Sequence, residues 1–586
     1  MMRTSLATFF GIAVALAVLR VNAATPAADL ILTHAHIRTP GGWVEALAVR
    51  DGVIVAVGRS SAVSALRAEK TRVIDLAGKT VLPGLHDMHV HPLTAALAVT
   101  RSCFIPPGAT QDVVVATVRQ CAAARKPGEW IVGGAVAPEG PPLTRRALDS
   151  ATPDNPTVLQ QQGGHAVYAN TRALALAGVD RTTANPENGE IVRDATGEPT
   201  GLLLEMAQML VGRLVPPPSR ADNAKALEWG LDQLLALGVT SFTDAAALAD
   251  TLLAYDDLDD VGKLKQRARA CIAWVPPSIT VPTAVDPISG ASQYARPRLA
   301  PTCVKFLLDG IPGSGRTAAL LDPYEPAPGR PANERGQLNI PVDVLSREVT
   351  RFDRAGLTAK FHAGGDAAAH EALDAVEAAR KANGMRGPRH EIAHTSLISP
   401  ADIARAKSLG VTLEFSPVFF GVPAVSPDQI ELLITTGGTG RQRMDRAFPV
   451  KEALDAGVLA VGGTDWPTTP PNPWPAIESL VTRWMPPFPG MTASPVEGDP
   501  PLQARERISL EQAVALYTSA PARQLGLSNK LGSLDRGYWA DLIVLDRDPF
   551  AIPITQVHDI KTLMTIINGE IVYEASNNQP IGSTPK

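Results

Sequence analysis

The sequence predicts an α/β fold in which eight parallel strands close into a barrel, and three observations support this. The middle of the chain alternates strand-like apolar runs with helix-like stretches, which is the pattern of βα units. Eight strand segments can be counted there, the number that a closed (β/α)8 (TIM) barrel requires. No glycine-rich phosphate-binding fingerprint follows the first segment, which disfavours the rival doubly wound open sheet.

The predicted strands follow one another along the chain. They cover residues 86–91, 239–244, 270–275, 303–308, 358–362, 391–394, 411–415 and 458–465. Helix-like stretches separate most of them, for example residues 367–382 and 400–408. In a barrel, the carboxyl ends of the strands converge on one mouth, where active sites are built.

The two ends of the chain and one long insertion complete the predicted architecture. Short apolar runs with turns between them predict strands near both ends, and too few lie at either end to be stable alone. We therefore expect a composite β-sandwich domain from residues 24–83 plus 535–586, around a barrel at 84–534. Residues 101–215 are far longer than a βα loop needs and predict an inserted α/β subdomain.

The N-terminal 23 residues have the three parts of a secretory signal peptide. Arg3 precedes an apolar run over 6–19, and small residues around Ala23 form a cleavage site. That run is shorter than the ~20 apolar residues of a spanning helix. The sequence thus predicts a secreted or periplasmic protein with no stable membrane span after cleavage.

Composition excludes some classes of protein. With 45% hydrophobic and 19% charged residues and a net charge of −5, neither a disordered chain nor a nucleic-acid-binding protein is expected. The four cysteines suit either redox state. Cys271 and Cys303 lie in strand-like segments and are expected to be buried thiols, whereas Cys103 and Cys121 could pair or remain free.

Six polar side chains are predicted to point from the strands into one pocket. They are His89, His91, Lys305, His362, His394 and Asp465. Burying such groups unpaired is costly, and a divalent metal resolves that cost because neutral imidazole and carboxylate are its ordinary ligands. Lys305 becomes a ligand if CO2 carboxylates its amine, which could then bridge two metals. Cys303 shares the face of Lys305 and is a minor rival ligand.

Motifs along nearly the whole predicted mature chain carry a family resemblance. They lie at residues 81–91 (VLPGLHDMHVH), 164–174, 304–310, 315–318, 361–366, 389–394 and 463–467. In this order and spacing the chain resembles the amidohydrolase superfamily, and more narrowly its YtcJ-like branch (amidohydrolase family 3), similar to N-substituted formamide deformylase. The sequence departs from the branch at Gly364, Gly365 and Ala393, residues that are expected to alter the wall of the pocket while leaving the metal ligands intact.

The resemblance implies roles for particular residues. It implies that His89, His91, His362 and His394 bind zinc or a similar ion, as one or two ions, with Lys305 as a carboxylated bridge. Asp465 would be both a ligand and the proton shuttle. Four further residues are candidates for substrate contact, with the ordering of loops as the alternative: His165, Asp309, Arg316 and Tyr324.

The predicted function is hydrolysis of a C–N amide-type bond in a small molecule by metal-activated water. Asp465 would take the proton of the water and return it to the leaving nitrogen. Two alternatives stay open: a metal-dependent esterase or lactonase on the same scaffold, and a catalytically inactive exported protein that binds a ligand. A homodimer is the commonest default assembly.

Overall fold

The computed structural model describes residues 27–575, with gaps at 106–108, 137–142, 162–163, 277–280, 282, 313–315, 328, 418–437, 485 and 487–502. The predicted signal peptide lies outside the described residues. Within them the strands, β1 to β24 in chain order, are Leu30–Thr33, His36–Thr39, Gly42–Val44, Ala46–Arg50, Val53–Gly58, Arg72–Asp75, Thr80–Pro83, Leu85–Val90, Cys103–Phe104, Ile131–Val136, Thr157–Gln161, Ala166–Ala169, Gly189–Arg193, Pro199–Glu205, Val239–Ala247, Arg267–Ala273, Leu299–Leu307, Thr358–His362, Glu391–Ala393, Thr412–Phe415, Ala460–Gly462, Leu542–Leu545, Thr562–Ile567 and Glu570–Glu574.

Helices alternate with these strands. The α-helices of the described residues are Ser60–Ser64, Pro92–Thr100, Gln111–Ala123, Arg145–Ala151, Thr171–Leu176, Met209–Gly212, Arg220–Ala236, Ala249–Asp260, Pro287–Gln293, Val342–Arg354, Asp366–Asn383, Pro400–Leu409, Arg441–Met444, Val450–Asp455, Pro473–Thr482, Leu510–Ala515 and Ser519–Gln524. Short 3-10 turns cover Met206–Gln208, Ala504–Glu506 and Ile554–Asp559. In this part of the chain no helix combines the length and apolar character needed to cross a bilayer.

Eight strands form the barrel, and the predicted fold class is confirmed. They are β8, β15, β16, β17, β18, β19, β20 and β21, side by side in chain order and parallel. Each overlaps one predicted strand, although β16 starts three residues earlier and β21 is shorter than predicted. Such strands are buried on both faces, as in β18, where every residue is buried.

The barrel is nearly closed where its first and last strands meet. At the carboxyl end of β8, the amide N of Asp465 donates to the carbonyl O of His89 at 2.6 Å, and the amide N of His91 donates to Trp466 O at 2.9 Å. We call this junction the seam. It brings two predicted ligand segments, 376 residues apart at His89 and Asp465, into backbone contact.

Strands from both chain ends share one sheet beside the barrel. Its order is β24-β23-β22-β7-β2-β3, and Ile543 of β22 lies opposite Leu82 of β7. A second sheet, β5-β4-β1-β6, packs on it through apolar side chains that include Leu32, Val49 and Val544. This is the sandwich of the predicted fold class, while the domain boundaries at residues 83 and 535 stay predictions.

The insertion between β8 and β15 contains a six-stranded sheet, β13-β14-β12-β11-β10-β9. It has one apolar core around Val118 and Leu148 and another around Leu174 and Leu203. The insertion is therefore a folded unit with its own buried side chains. Its boundaries at 101 and 215 stay predictions.

All four cysteines are paired, which corrects one prediction. Cys271 and Cys303 lie opposite each other on β16 and β17 and form a disulfide rather than buried thiols. The sequence suggested thiols because cysteine is often buried singly, but adjacent barrel strands bring these two side chains together. The disulfide also removes Cys303 as a rival metal ligand. Cys103 and Cys121 form the second disulfide.

Candidate metal centre

His89, His91 and Asp465 meet at the seam of the barrel. The Nε2 atoms of His91 and His89 lie 3.3 Å and 3.5 Å from the same oxygen, Asp465 Oδ1. Gly463 permits this close approach, because a Cβ there would lie 2.7 Å from the amide nitrogen of His89. Asp465 is buried, which alone would raise its pKa, but the neighbouring His89 and His91 hold that pKa below its usual value. The aspartate is thus kept as a carboxylate.

A buried carboxylate fixes the two sides of the seam. Asp87 Oδ1 accepts hydrogen bonds from the amide nitrogens of His89 and Thr464, each at 3.0 Å, and its Oδ2 accepts from Thr464 Oγ1 at 2.6 Å. Burial raises the pKa of Asp87 to about 7 despite these bonds. Asp87 therefore ties the first strand of the barrel to the loop that carries Asp465.

Lys305 points to the same place from β17. Its Nζ lies 3.3 Å from His89 Nε2, and the residue is buried. Burial and then the positive charge of Lys360 lower the pKa of Lys305 to about 7. A neutral amine is the nucleophilic form that carboxylation by CO2 requires.

His362 and His394 complete the row of imidazoles. The ring centroid of His394 lies 4.5 Å from that of His89 and 4.7 Å from that of His362. Burial is the main cause that lowers the pKa of all three histidines. Neutral imidazole is the form that binds metal.

The Nδ1 atoms of these three histidines are held by acceptors behind them. His89 Nδ1 lies 2.6 Å from Glu414 Oε2, His362 Nδ1 lies 3.2 Å from Asp309 Oδ1, and His394 Nδ1 lies 3.1 Å from Ser416 Oγ. An ionised carboxylate only accepts, so the proton of His89 and His362 belongs on Nδ1 and their Nε2 keeps its lone pair. Ligand histidines in metal sites are oriented in this way.

Asp309 was predicted as a substrate residue, but it lies behind His362. Its carboxylate accepts from the amide nitrogens of Gly364 at 2.9 Å, Gly365 at 2.8 Å and Ala319 at 2.9 Å. This placement favours a role in positioning His362 over contact with substrate. The backbone of the loop after β17 requires the two glycines: a Cβ on Gly364 would lie 2.4 Å from Gly310 O, and a Cβ on Gly365 would lie 1.8 Å from Ala319 O.

The side chains of Arg316 and Tyr324 contact other residues of the loop that contains them. Arg316 Nε donates to Glu334 Oε2 at 2.6 Å, and the guanidinium carbon lies 4.7 Å from the centroid of the Tyr324 ring. The Tyr324 hydroxyl donates to Ala318 O at 2.8 Å. Both residues are buried. These contacts favour the alternative that the two side chains order the loop after β17.

His165 is the predicted substrate residue that the inserted subdomain brings to the centre. Its ring centroid lies 5.3 Å from that of His362. Its Nδ1 lies 3.1 Å from Glu205 Oε2, on the neighbouring strand β14. Burial opposes protonation of His165, but the bond to Glu205 raises its pKa overall. The sequence analysis missed Glu205, whose only signal is a carboxylate that ends an apolar run.

Four buried charged residues, which we call the charge layer, lie in the barrel next to the ligands. Lys360 Nζ lies 2.9 Å from Glu391 Oε2 and 3.2 Å from Glu414 Oε2, and Arg269 Nη2 lies 2.5 Å from Glu391 Oε1. Their side chains are at most 6% exposed. A buried charge without an opposite charge beside it is strongly destabilising, so each of the four residues depends on its partners in the layer. The sequence analysis missed this layer as well as Ser416.

The donor set fits a divalent metal. Ligand atoms of His89, His91 and Asp465 all lie within 4.8 Å of one another, and imidazole and carboxylate are the donors that zinc and similar ions take. The contacts at the Nδ1 atoms of His89, His362 and His394 and the lowered pKa of each of these histidines also favour metal binding. A barrel whose strand ends gather such donors is typical of metal-dependent hydrolases.

Comparisons with known proteins identify the family. The family model described as "Amidohydrolase family" matches residues 72–573. The chain therefore belongs to the amidohydrolase family, as its motifs predicted. It is 30% identical to the YtcJ protein of Bacillus subtilis (strain 168), over 92% of this chain and 97% of that protein. It is 28% identical to N-substituted formamide deformylase of Arthrobacter pascens, over 94% and 99% respectively.

Solved structures agree with the family assignment. An uncharacterised metal-dependent hydrolase of Pyrococcus furiosus is 26% identical, with a TM-score of 0.64 over 89% of this chain and 99% of that chain. Another, from Pyrococcus horikoshii OT3, shares the fold with a TM-score of 0.68 at 22% identity, over 90% and 99%.

Proposed function

We propose that this protein hydrolyses a C–N amide-type bond of a small molecule, using one or two divalent ions, with zinc as the expected metal. His89, His91, His362, His394 and Asp465 would hold the metal, with Lys305 as a sixth ligand. The observation that carries the proposal is the convergence of these six side chains, with three of the histidines held at Nδ1. The relative named N-substituted formamide deformylase supports the choice of bond.

The ion, when bound, supplies a Lewis acid that polarises the scissile carbonyl and makes water a better nucleophile. Asp465 accepts the proton of the attacking water and returns it to the leaving nitrogen. Its lowered pKa keeps it ready to accept that proton. The products are a carboxylate and an amine.

Lys305 is proposed as a carboxylated bridge between two ions. Its amine is buried, lies 3.3 Å from His89 Nε2, and has its pKa lowered to about 7. Reaction of the neutral amine with CO2 would form a new N–C bond and release one proton. The resulting carbamate would supply the anionic oxygens that an ammonium ion lacks.

The substrate would lie between the ligands and the insertion. His165 is close to His362 and is fixed by Glu205, so its Nε2 side is the candidate contact with substrate. Arg316 and Tyr324 would act indirectly, by ordering the loop after β17.

Export is proposed from the chain's cysteines as well as from its N-terminus. Both disulfides persist best in an oxidising compartment. This supports a secreted or periplasmic location after cleavage near Ala23.

Metal content tests the proposal. We expect purified wild-type protein to contain divalent metal by elemental mass spectrometry, and to hydrolyse members of an amide panel faster than matched esters. Lys305→Ala should contain fewer ions per chain, while Lys381→Ala, at a lysine with 75% of its side chain exposed, should match wild type. Wild-type protein without metal would refute the metal mechanism. Equal content in Lys305→Ala would refute only the bridging lysine.

A further inference from the structure

Glu414 on β20 connects two of the proposed ligands that come from different strands. Its Oε2 lies 2.6 Å from His89 Nδ1, and its Oε1 lies 3.3 Å from Ser416 Oγ. Ser416 Oγ in turn lies 3.1 Å from His394 Nδ1. One carboxylate therefore contacts His89 directly and His394 through one hydroxyl.

The direction of each hydrogen bond follows from the chemistry of the acceptor. A carboxylate cannot donate, so both His89 Nδ1–H and the Ser416 hydroxyl donate to Glu414. Ser416 then accepts from His394 Nδ1–H. Both imidazoles are thus fixed in the tautomer whose lone pair is on Nε2.

Lys360 holds the carboxylate of Glu414 in place. Its Nζ lies 3.2 Å from Glu414 Oε2, and also contacts Glu391 Oε2 at 2.9 Å and Met88 O at 3.2 Å. The side chains of Lys360, Glu391 and Glu414 are fully buried. Because these side chains are buried from bulk solvent, their partners set the geometry of the carboxylate.

We propose that Glu414 is a positioning residue that sets the tautomer and orientation of His89 and His394 for the metal, with Lys360 as its anchor. This inference rests on the proposed metal function and assigns a role to a strand that supplies none of the predicted ligands. The rival is that Glu414 binds metal directly, since its carboxylate and ligand atoms of His89 and His394 lie within 4.8 Å of one another.

Glu414→Gln separates these roles. A glutamine side chain keeps one oxygen that can accept from His89, but its NH2 group can only donate to Ser416, so the bond donated by the Ser416 hydroxyl is lost. The substitution also removes the negative charge that lies 3.2 Å from Lys360 Nζ. We expect zinc affinity, measured by competition with a chromophoric chelator, to fall 10- to 100-fold, with the number of ions at saturating zinc unchanged. Loss of a whole ion at saturation would show a direct ligand and overturn the proposal. So would unchanged affinity.

A matched control is available in Glu478. It is a buried carboxylate whose Oε2 lies 2.8 Å from His558 Nδ1, outside the barrel. Glu478→Gln should leave zinc affinity unchanged. Ser416→Ala removes the acceptor of His394 and the hydroxyl that donates to Glu414 Oε1, but leaves the bond between Glu414 and His89 in place. It should therefore weaken zinc binding less than Glu414→Gln. It also keeps the proposal testable if the Gln variant does not fold.

A second measurement needs no metal. In metal-free protein labelled with 15N-histidine, the Nδ1–H protons of His89 and His394 should give hydrogen-bonded signals. Glu414→Gln should shift or broaden both signals, and Ser416→Ala only that of His394. Spectra that do not change would overturn the positioning role. A normal result here with wild-type protein that binds no zinc would instead refute the proposed function alone.

Discussion

Two residues of the candidate metal centre have left-handed backbones: His394 has a φ of 66° and Asp465 a φ of 57°. For residues other than glycine such backbones cost on the order of 1–3 kcal/mol. Hydrogen bonds with neighbouring residues must therefore stabilise these left-handed conformations. At Asp465 the relevant bonds are the backbone hydrogen bond from Asp465 N to His89 O and the two hydrogen bonds that Thr464 donates to Asp87. This backbone turns the carboxylate toward the imidazoles.

Asp465→Asn should abolish turnover while preserving the fold. The amide cannot accept the proton of water, and loss of a general base costs about 10²–10⁴ in rate. Asparagine tolerates positive φ well, so we expect the melting temperature to change little. The measurements are kcat on the best amide substrate and thermal unfolding.

The control for that variant is Asp112→Asn, at an exposed position on the helix Gln111–Ala123 of the insertion. It should keep wild-type kcat. If Asp465→Asn kept a tenth or more of the activity, the proton-shuttle role would be wrong.

Sequence reasoning at the residue scale predicted the proposed ligands but missed the side chains that contact them, such as Glu414 and Ser416. Histidines, a lysine and an aspartate at strand ends stand out because such residues seldom follow apolar runs without a function. Glu414 and Lys360 also lie in strands, but nothing in the sequence shows that they contact each other; the 3.2 Å between Lys360 Nζ and Glu414 Oε2 does. For Asp309 the sequence left substrate contact and loop ordering open, because spacing along a loop does not show which way a side chain turns, and the hydrogen bonds of its carboxylate favour a supporting role.

At the scale of elements, a buried carboxylate connects two neighbouring barrel helices and the start of β19. Asp353 Oδ1 lies 2.5 Å from Arg380 Nη1 and 3.0 Å from His390 Nε2, and its Oδ2 accepts from Asn383 Nδ2 at 2.8 Å. Burial alone would raise the pKa of Asp353, but the bonds from His390 and Asn383 lower it overall. This cluster lies away from the metal centre and is structural.

Asp353→Asn should destabilise the protein in a pH-dependent way. Removing the charge leaves Arg380 buried and unpaired, which costs about 3 kcal/mol. Because the folded-state pKa is lowered, the stabilisation is present above the ordinary aspartate pKa of about 3.9 and is lost as pH falls through the folded value. The difference in free energy of unfolding between wild type and variant should thus be large at neutral pH and shrink below about pH 4.

Urea unfolding across pH measures that difference. The matched control is Asp374→Asn, which breaks an ion pair with Arg405 at a carboxylate 42% exposed. An exposed pair contributes at most about 1 kcal/mol. Equal losses in the two variants would contradict the structural role of Asp353.

The strands of the insertion place His165 where it can contact substrate, and this role can be tested. Glu205 N donates to His165 O at 2.8 Å, so β12 and β14 place the two side chains together. His165→Ala should lower kcat/KM about tenfold, the loss of one hydrogen bond to substrate, with metal content unchanged. Kinetics and elemental analysis on the same preparation would test this. A loss of metal would mean that His165 supports the ligands instead.

At the scale of the whole molecule, order along the chain predicted the barrel. Each barrel strand pairs with the next strand along the chain, so the order of the strands could be predicted without knowing any long-range contact. Each predicted strand lies within a few residues of the observed one. The composite sheet was also predicted, because neither end can form a stable sheet alone. The pairing of Cys271 with Cys303 was not, since it depends on the register between β16 and β17.

The two disulfides should differ in their access to reductant. Cys271 and Cys303 are 0% exposed and Cys103 is 6% exposed, while its partner Cys121 is partly buried. Under native conditions with a mild reductant and iodoacetamide, we expect alkylation at Cys103 and Cys121 only, by peptide mass spectrometry. Alkylation at Cys271 and Cys303 should require denaturant.

The non-reduced native protein is the control and should take up no iodoacetamide. Replacing both Cys103 and Cys121 by serine should lower the free energy of unfolding by about 3 kcal/mol, as for a closed loop of roughly 15 residues. Alkylation at all positions without reductant would contradict both disulfides.

The shared sheet also has a consequence for synthesis on the ribosome. Lys79 at the start of β7 contacts Asp546, 467 residues later. At ordinary elongation rates the first strands must wait roughly 20 to 90 s for their partners. During that time the apolar faces of β2 and β7 have no cover from β22, and until residue 462 has been added the barrel also lacks β21. Nascent chains halted before residue 542 should therefore depend on chaperones. Protection from protease should appear in one step, only after β22 has been synthesised.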